Sequence, residues 1–210
     1  MCGIFAFVGS RDASSVLIDG LRKLEYRGYD SAGIATIDNP NNGQIGNLNI
    51  TKSQGKLINL ANLINRKPLK GHLGIGHTRW ATHGQPNEQN SHPHIDFSGQ
   101  IAVVQNGIIE NHRDLSKSLK LKGIKFISET DTEIIPHLIG LEIERSLANG
   151  FSPNGQTLLL AVQKVLTLLH GTYALAVIWS KAPNTLVVAS RQAPLVVASR
   201  QAPLVLGFGE

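Results

Sequence analysis

Apolar residues fall into short runs cut by polar turns, and their spacing alternates between the strand period and the helix period. Gly3–Val8 is an unbroken apolar run closed by Gly9-Ser10, the pattern of a fully buried strand that starts just after the second residue. Asp12 stands as an N-cap before Leu17, Leu21 and Leu24, which recur at helical spacing up to a stop at Gly28. Ser31–Ile37 reads as a strand of small residues running into the turn Asn39-Pro40-Asn41-Asn42-Gly43. A short strand follows at Leu48–Thr51, then a helix marked by Leu57, Leu60, Ala61 and Ile64 and ended by Lys67-Pro68. Leu73–Thr78 is a strand, and a polar, turn-rich stretch runs from Thr82 to His94.

The second half repeats the alternation. Ile101–Gln105 reads as a strand ending at Asn106-Gly107; Asn111 caps a helix carrying Leu115 and Leu119 and stopped by Gly123; Ile124–Ile127 reads as a strand. A helix from Asp131 or Thr132 to about Leu147 tolerates Pro136 near its first turn, and Thr157–Leu169 is helical with Gly171 as its stop. Thr172–Trp179 and Leu186–Ser190 form a hairpin across Lys181-Ala182-Pro183-Asn184. Strand often follows strand, which points to α+β layers and away from a doubly wound parallel sheet. Near the end, Val187–Leu195 is repeated letter for letter by Val196–Leu204. Two perfect copies are no solenoid, because only one can occupy a given strand.

Composition narrows the class. The 210 residues suffice for one large domain spanning 1–210, with 41% hydrophobic and 17% charged residues. A single cysteine excludes an internal disulfide or a Cys-based metal cluster and fits a reducing, cytoplasmic setting. There is no basic leader ahead of the first apolar run and no stretch of membrane-spanning length. The net charge of +5 is scattered, without basic–aromatic interleaving, so a solvated basic face is preferred to a nucleic-acid surface. The eight histidines, including His92-Pro93-His94, show no helical ligand spacing, and no metal site is assigned.

Five features carry candidate chemistry. Cys2 follows the initiator Met, whose removal would leave a thiol and a free α-amine on one residue. An α-amine titrates at roughly 7.7–8.0, close to working pH, so nucleophile and base would share a residue. Read alone, Cys2 is better taken as a start codon followed by a small core residue. Four polar stretches lie at the mouths of apolar elements: Glu25–Gly33, His77–Gly84, Gln105–His112 and Ser128–Glu133. Each has a local reading: Asn106-Gly107 as a hairpin turn, Thr130-Asp131 as helix capping, Arg79-Trp80 as a stacked surface pair, Tyr26–Ser31 as a polar loop.

Together, the Cys2-Gly3-Ile4 start, Tyr26-Arg27-Gly28-Tyr29-Asp30-Ser31, Arg79-Trp80-Ala81-Thr82-His83 and Asn106-Gly107 resemble the class II glutamine amidotransferase domain. The wording is nearest to the glutaminase half of glutamine–fructose-6-phosphate aminotransferases. The resemblance runs from Cys2 to about Leu206. It implies an α+β fold, a four-layer α/β/β/α sandwich of the N-terminal-nucleophile type with two mainly antiparallel sheets. It also implies roles. Cys2 attacks the glutamine amide and its α-amine moves the proton; Asn106 and Gly107 form the oxyanion hole. Arg79 holds the α-carboxylate of glutamine and Asp131 its α-ammonium, while Thr82 and His83 line the pocket. Trp80 sits beside the ammonia exit, and Arg27 supports the surroundings of the nucleophile. No cofactor is implied. The partners are glutamine and a sugar-phosphate isomerase domain that receives the ammonia, and a homo-oligomer is compatible with this.

The chain departs from the family pattern in two places. Gln105 stands where the family usually has His, outside the inferred donor pair. The family's domain also continues past Leu206 into two isomerase domains, so this chain reads as C-terminally truncated, able to carry out only the glutaminase step. The alternative is a folded, non-catalytic remnant that binds glutamine or a partner chain.

Overall fold

The computed structural model describes residues 2–38, 45–80 and 85–196. Its first half runs β1 (Gly3–Val8), α1 (Ala13–Arg22), β2 (Ser31–Asp38), β3 (Asn47–Gln54), α2 (Leu57–Arg66) and β4 (Leu73–Arg79). The second half runs β5 (His94–Ile95), β6 (Ile101–Ile109), α3 (His112–Leu121), α4 (Ile134–Ala148), α5 (Gly155–Leu166), β7 (Gly171–Trp179) and β8 (Leu186–Arg191). The strands form two four-stranded sheets, ordered β1-β4-β2-β3 and β5-β6-β7-β8, with every pairing antiparallel.

Alternation along the strands builds the layers, because successive side chains take opposite faces. On β2, Ala32 and Ile34 join Leu17, Leu21, Leu57 and Leu60 of the covering helices, while Ala35 and Ile37 join the other sheet. On β6, Ile101 and Val103 pack under α4 and α5, and Ala102 and Val104 face inward. The result is an α/β/β/α sandwich with three apolar layers, the middle one built from Ala35, Ile37, Leu73, Ile75, Ala102, Val104, Ala176 and Ile178. Each fully buried Leu or Ile contributes on the order of 1.5–3 kcal/mol of transfer free energy.

Local chemistry sets the element ends. The Asp12 carboxylate accepts from Ser15 N–H at 3.0 Å and starts α1. Helix α1 lies close on β4 because β4 offers Gly74 and Gly76 there; an added Cβ would come within 2.8 Å of Leu17 Cδ1 and 2.9 Å of Leu21 Cδ1. Glu25 accepts from Leu57 N–H at 3.0 Å at the start of α2, and Asn154 caps α5 through Thr157 N–H at 3.1 Å.

Three local readings are corrected. Ile124–Ile127 is not a strand: among the described residues its backbone has no strand neighbour, and the N–H groups of Ile127 and Ser128 instead donate to the Glu133 carboxylate at 2.8 and 2.7 Å. Asn106-Gly107 is no hairpin turn; β6 continues through it to Ile109, paired with β7 as far as Gly171. Asn111 does not cap α3 with its side chain, which bridges Leu168 C=O and His170 N–H at 2.8 and 3.0 Å. The turn at 39–43 lies outside the described residues, as does the repeat copy from residue 197 onward. Among the described residues no helix is long and apolar enough to cross a membrane.

Candidate active site

The inward positions of three strands lead to one place. Ile4 and Ala6 of β1, Leu73 and Ile75 of β4, and Ala102 and Val104 of β6 face the middle layer. Continuing the period of two brings Cys2, His77 and Asn106 to the same polar end of that layer. Residues far apart in sequence thereby become neighbours through strand pairing within one sheet and the packing of the two sheets face to face.

The Trp80 backbone N–H donates to Cys2 Sγ at 3.3 Å, and the thiol faces the Trp80 carbonyl at 3.7 Å. The Asn106 side chain donates from Nδ2 to the Cys2 carbonyl at 3.2 Å. Gly107 follows with φ of +117°, a left-handed conformation, and an added Cβ would sit 2.0 Å from the Thr172 carbonyl oxygen. Trp80 is 43% exposed and meets Tyr29 edge to face, ring centroids 5.5 Å apart. Gly28 underlies the same turn: an added Cβ would lie 2.7 Å from Arg79 C and 2.8 Å from Trp80 N. Arg27 precedes it in a short 3-10 turn, Glu25–Arg27.

Arg79 ends β4 nearly buried, donating from Nη1 to the Gln85 carbonyl at 3.3 Å. Burial pushes its pKa down, and negative charge at Cys2, Asp30 and Asp131 opposes this. Asp131, half-buried, accepts from Ile109 N–H at 2.7 Å. Arg79 thus lies within electrostatic reach of both Cys2 and the Asp131 carboxylate. Thr82 and His83 lie outside the described residues.

Behind Asn106 lies a polar set that sequence reasoning missed. His77 Nε2 is 2.9 Å from Asn106 Oδ1 and 3.1 Å from His92 Nδ1. His92 Nε2 is 2.9 Å from Thr132 Oγ1, whose hydroxyl donates to Gln105 Oε1 at 2.6 Å. His94 extends the set, its ring 4.8 Å from that of His92 and its Nε2 3.0 Å from Thr130 Oγ1. The loop bearing His92 enters because β2 carries Gly33 there: a Cβ would meet the His92 carbonyl at 2.2 Å.

Burial pushes His77 down to about 4, opposed by the Asn106 hydrogen bond and reinforced by the Arg79 charge. His92 and His94 are held well below the ordinary histidine range, chiefly by burial and then by surrounding charge. Burial likewise lowers Lys52 to about 8, opposed by Glu133 and Glu88. Glu133 is lowered for a different reason: burial would raise it, but His137, 3.6 Å away, the Ser128 side chain and the Ile127 and Ser128 N–H groups bring it to about 2. The clue available in sequence was His92-Pro93-His94, weighed only as a metal ligand pair; the rings instead face each other and two threonines.

Comparison with known proteins gives the arrangement its relatives. A family model described as the glutamine amidotransferase domain matches residues 77–207. A protein named glutamine–fructose-6-phosphate aminotransferase (isomerizing) from Thermosynechococcus vestitus is 50% identical over 92% of this chain and 29% of its own length. One of the same name from Gloeobacter violaceus is 48% identical over 100% of this chain and 30% of its own. The chain therefore spans less than a third of these curated relatives. Among solved structures, the glutamine phosphoribosylpyrophosphate amidotransferase of B. subtilis superposes with a TM-score of 0.69 at 28% identity, over 90% of this chain and 37% of that one. A structure titled the allosteric regulatory enzyme of purine biosynthesis does so with a TM-score of 0.70 at 28% identity, over the same shares. The sandwich is of the N-terminal-nucleophile type shared with these amidotransferases, and the chain belongs to the glutamine amidotransferase domain family.

Proposed function

We propose that this chain is the glutaminase half of a glutamine–fructose-6-phosphate aminotransferase, releasing ammonia from glutamine for amination of fructose 6-phosphate. The observation that carries the reading is the Asn106 carboxamide, whose Nδ2 lies 3.2 Å from the Cys2 carbonyl beside the thiol. A carboxamide N–H donor on that residue suits the oxyanion that thiol attack on an amide would form.

After loss of Met1, the Cys2 α-amine takes the thiol proton and Sγ attacks the side-chain carbonyl carbon of glutamine. The carbonyl electron pair moves onto oxygen, which Asn106 Nδ2 and the Gly107 N–H stabilise. Collapse breaks the C–N bond, and the proton held by the amine leaves with ammonia. Water then attacks the thioester, giving glutamate and the free thiol. Arg79 holds the α-carboxylate and Asp131 the α-ammonium; Thr82 and His83 line the pocket, Trp80 flanks the ammonia exit, and Arg27 supports the nucleophile's surroundings. The ammonia acceptor is a sugar-phosphate isomerase domain, in line with the greater length and the name of the relatives, and the setting is cytoplasmic.

The test is glutamate release by the purified chain, together with intact mass after exposure to an electrophilic glutamine analogue. Expected are turnover, loss of Met1 and one label per chain at Cys2. A processed, folded chain that neither turns over nor takes the label would overturn the reading.

A further inference from the structure

The Asn106 carboxamide serves an oxyanion only with its NH2 toward the nucleophile; turned by 180°, it would present a carbonyl oxygen to the developing charge. Its surroundings settle the orientation step by step. The Cys2 carbonyl only accepts, so Asn106 presents Nδ2 to it and Oδ1 to His77. Oδ1 also only accepts, so His77 carries its proton on Nε2. That one N–H is shared with His92 Nδ1 at 3.1 Å, so His92 Nδ1 is bare. Both rings are held neutral by burial, so His92 carries its proton on Nε2 and donates it to Thr132 Oγ1. The Thr132 hydroxyl then gives its own proton to Gln105 Oε1.

Every link has one consistent donor direction from Gln105 to Asn106, and reversing the His77–His92 link reverses the Asn106 carboxamide with it. The relay also rounds the edge of β6. Strand β5 pairs only with Ala102 and Val103, so among the described residues β6 beyond Val103 has no strand partner on that side, and Asp131, next to Thr132, accepts from Ile109 N–H there. Gln105 and Asn106, adjacent on β6 and directed to opposite faces, are thereby connected by side chains.

We propose that His92, Thr132 and Gln105, none of which touches the reacting atoms, are positioning residues that act through His77 to hold the Asn106 carboxamide with Nδ2 toward Cys2. This rests on the glutaminase reading of Cys2 and Asn106. Without the Thr132 hydroxyl, the His92 Nε2–H loses its acceptor, and His92 gains by moving its proton to Nδ1. A proton there opposes the His77 Nε2–H and favours the inverted amide.

The experiment uses the whole chain with 15N-labelled histidine, wild type and Thr132→Val, Thr132→Ser and Gln105→Met, read by imidazole nitrogen shifts and by glutaminase kinetics. Wild type should show His77 and His92 as neutral Nε2–H tautomers. Thr132→Val should move His92 toward Nδ1–H and lower kcat roughly fivefold, the worth of one hydrogen bond, with KM nearly unchanged. Thr132→Ser, which restores the hydroxyl, should restore both readouts, and Gln105→Met should lower kcat in the same sense. A wild-type His92 protonated on Nδ1 overturns the proposal. So does a fall in kcat in Thr132→Val with both tautomers unchanged, since that marks a merely structural loss, or a failure of Thr132→Ser to restore kcat. If wild type releases no glutamate, the glutaminase reading fails, while the nitrogen shifts still decide whether the relay exists.

Discussion

The backbone N–H of Trp80 points at the Cys2 thiol from 3.3 Å, so the sulfur is met by main chain. The turn that delivers this N–H rests on Gly28, whose absent Cβ leaves room for the Arg79–Trp80 peptide. Gly28 has ordinary extended dihedrals, φ −178° and ψ 135°, so the requirement is for space alone. Gly28→Ala should shift the peptide, lower glutaminase kcat by roughly 10- to 100-fold through misplacement of the thiol, and cost about 1–3 kcal/mol of stability by overpacking. Kinetics and urea denaturation check this; a variant with unchanged kcat would show that the thiol does not depend on the turn.

Cys2→Ala should abolish glutamate release while leaving the urea midpoint nearly unchanged, because Cys2 is the only cysteine and is partly exposed. Retained turnover in Cys2→Ala would remove the nucleophile assignment. Blocking Met1 removal should inactivate the chain in the same way, since the α-amine becomes an amide without basicity.

The architecture was legible in the sequence because the strands are apolar on both faces and the helices on one. Runs such as Gly3–Val8 and Leu73–Thr78, and helix stripes such as Leu57-Leu60-Ala61-Ile64, state their own element type. Ile124–Ile127 misled because apolar spacing does not report strand pairing, and there the Glu133 carboxylate took the Ile127 and Ser128 N–H groups. Arg79, Asn106 and Asp131 were singled out because each sits in a contiguous polar stretch, and Cys2 because it follows the initiator Met. His77, His92, Gln105 and Thr132 acquire meaning only across β4, β6 and two loops, and nothing local to any of them signals that they meet.

Acid should destabilise the fold before its carboxylates titrate. His77 has a folded pKa of about 4 against an unfolded value near 6.5. Between these limits the unfolded chain binds a proton that the folded chain refuses, so stability falls as pH drops through that window. His77 alone accounts for about 3 kcal/mol, and His92 and His94 act in the same direction. Glu133, depressed to about 2, contributes stability that is full above its unfolded pKa near 4.5 and is lost as pH falls from there toward 2. Urea midpoints at constant m-value should therefore decline from pH 7.5 to 4.5. A flat profile across that range would mean that the three imidazoles are not held neutral.

The last expectation separates binding from chemistry. Arg79 and Asp131 are proposed to meet the charged ends of glutamine, which do not change during reaction, whereas Asn106 is proposed to meet an oxygen that becomes charged only in the transition state. Arg79→Ala should therefore mainly raise KM, because ground-state and transition-state binding weaken together. Asn106→Ala should mainly lower kcat, by roughly 10²–10³-fold if it behaves as other oxyanion donors do. Arg79 lies one residue from Trp80 and is nearly buried, so Arg79→Ala should also shift the thiol slightly and lower kcat by a smaller factor than it raises KM. Asn106→Asp sharpens the contrast: it keeps the shape of the side chain but sets a carboxylate where the oxyanion forms, so kcat should fall at least as far as in Asn106→Ala with KM little changed. Steady-state kinetics on the three variants decide the matter. A pure KM effect from either Asn106 substitution, or a pure kcat effect from Arg79→Ala, would reverse the two roles.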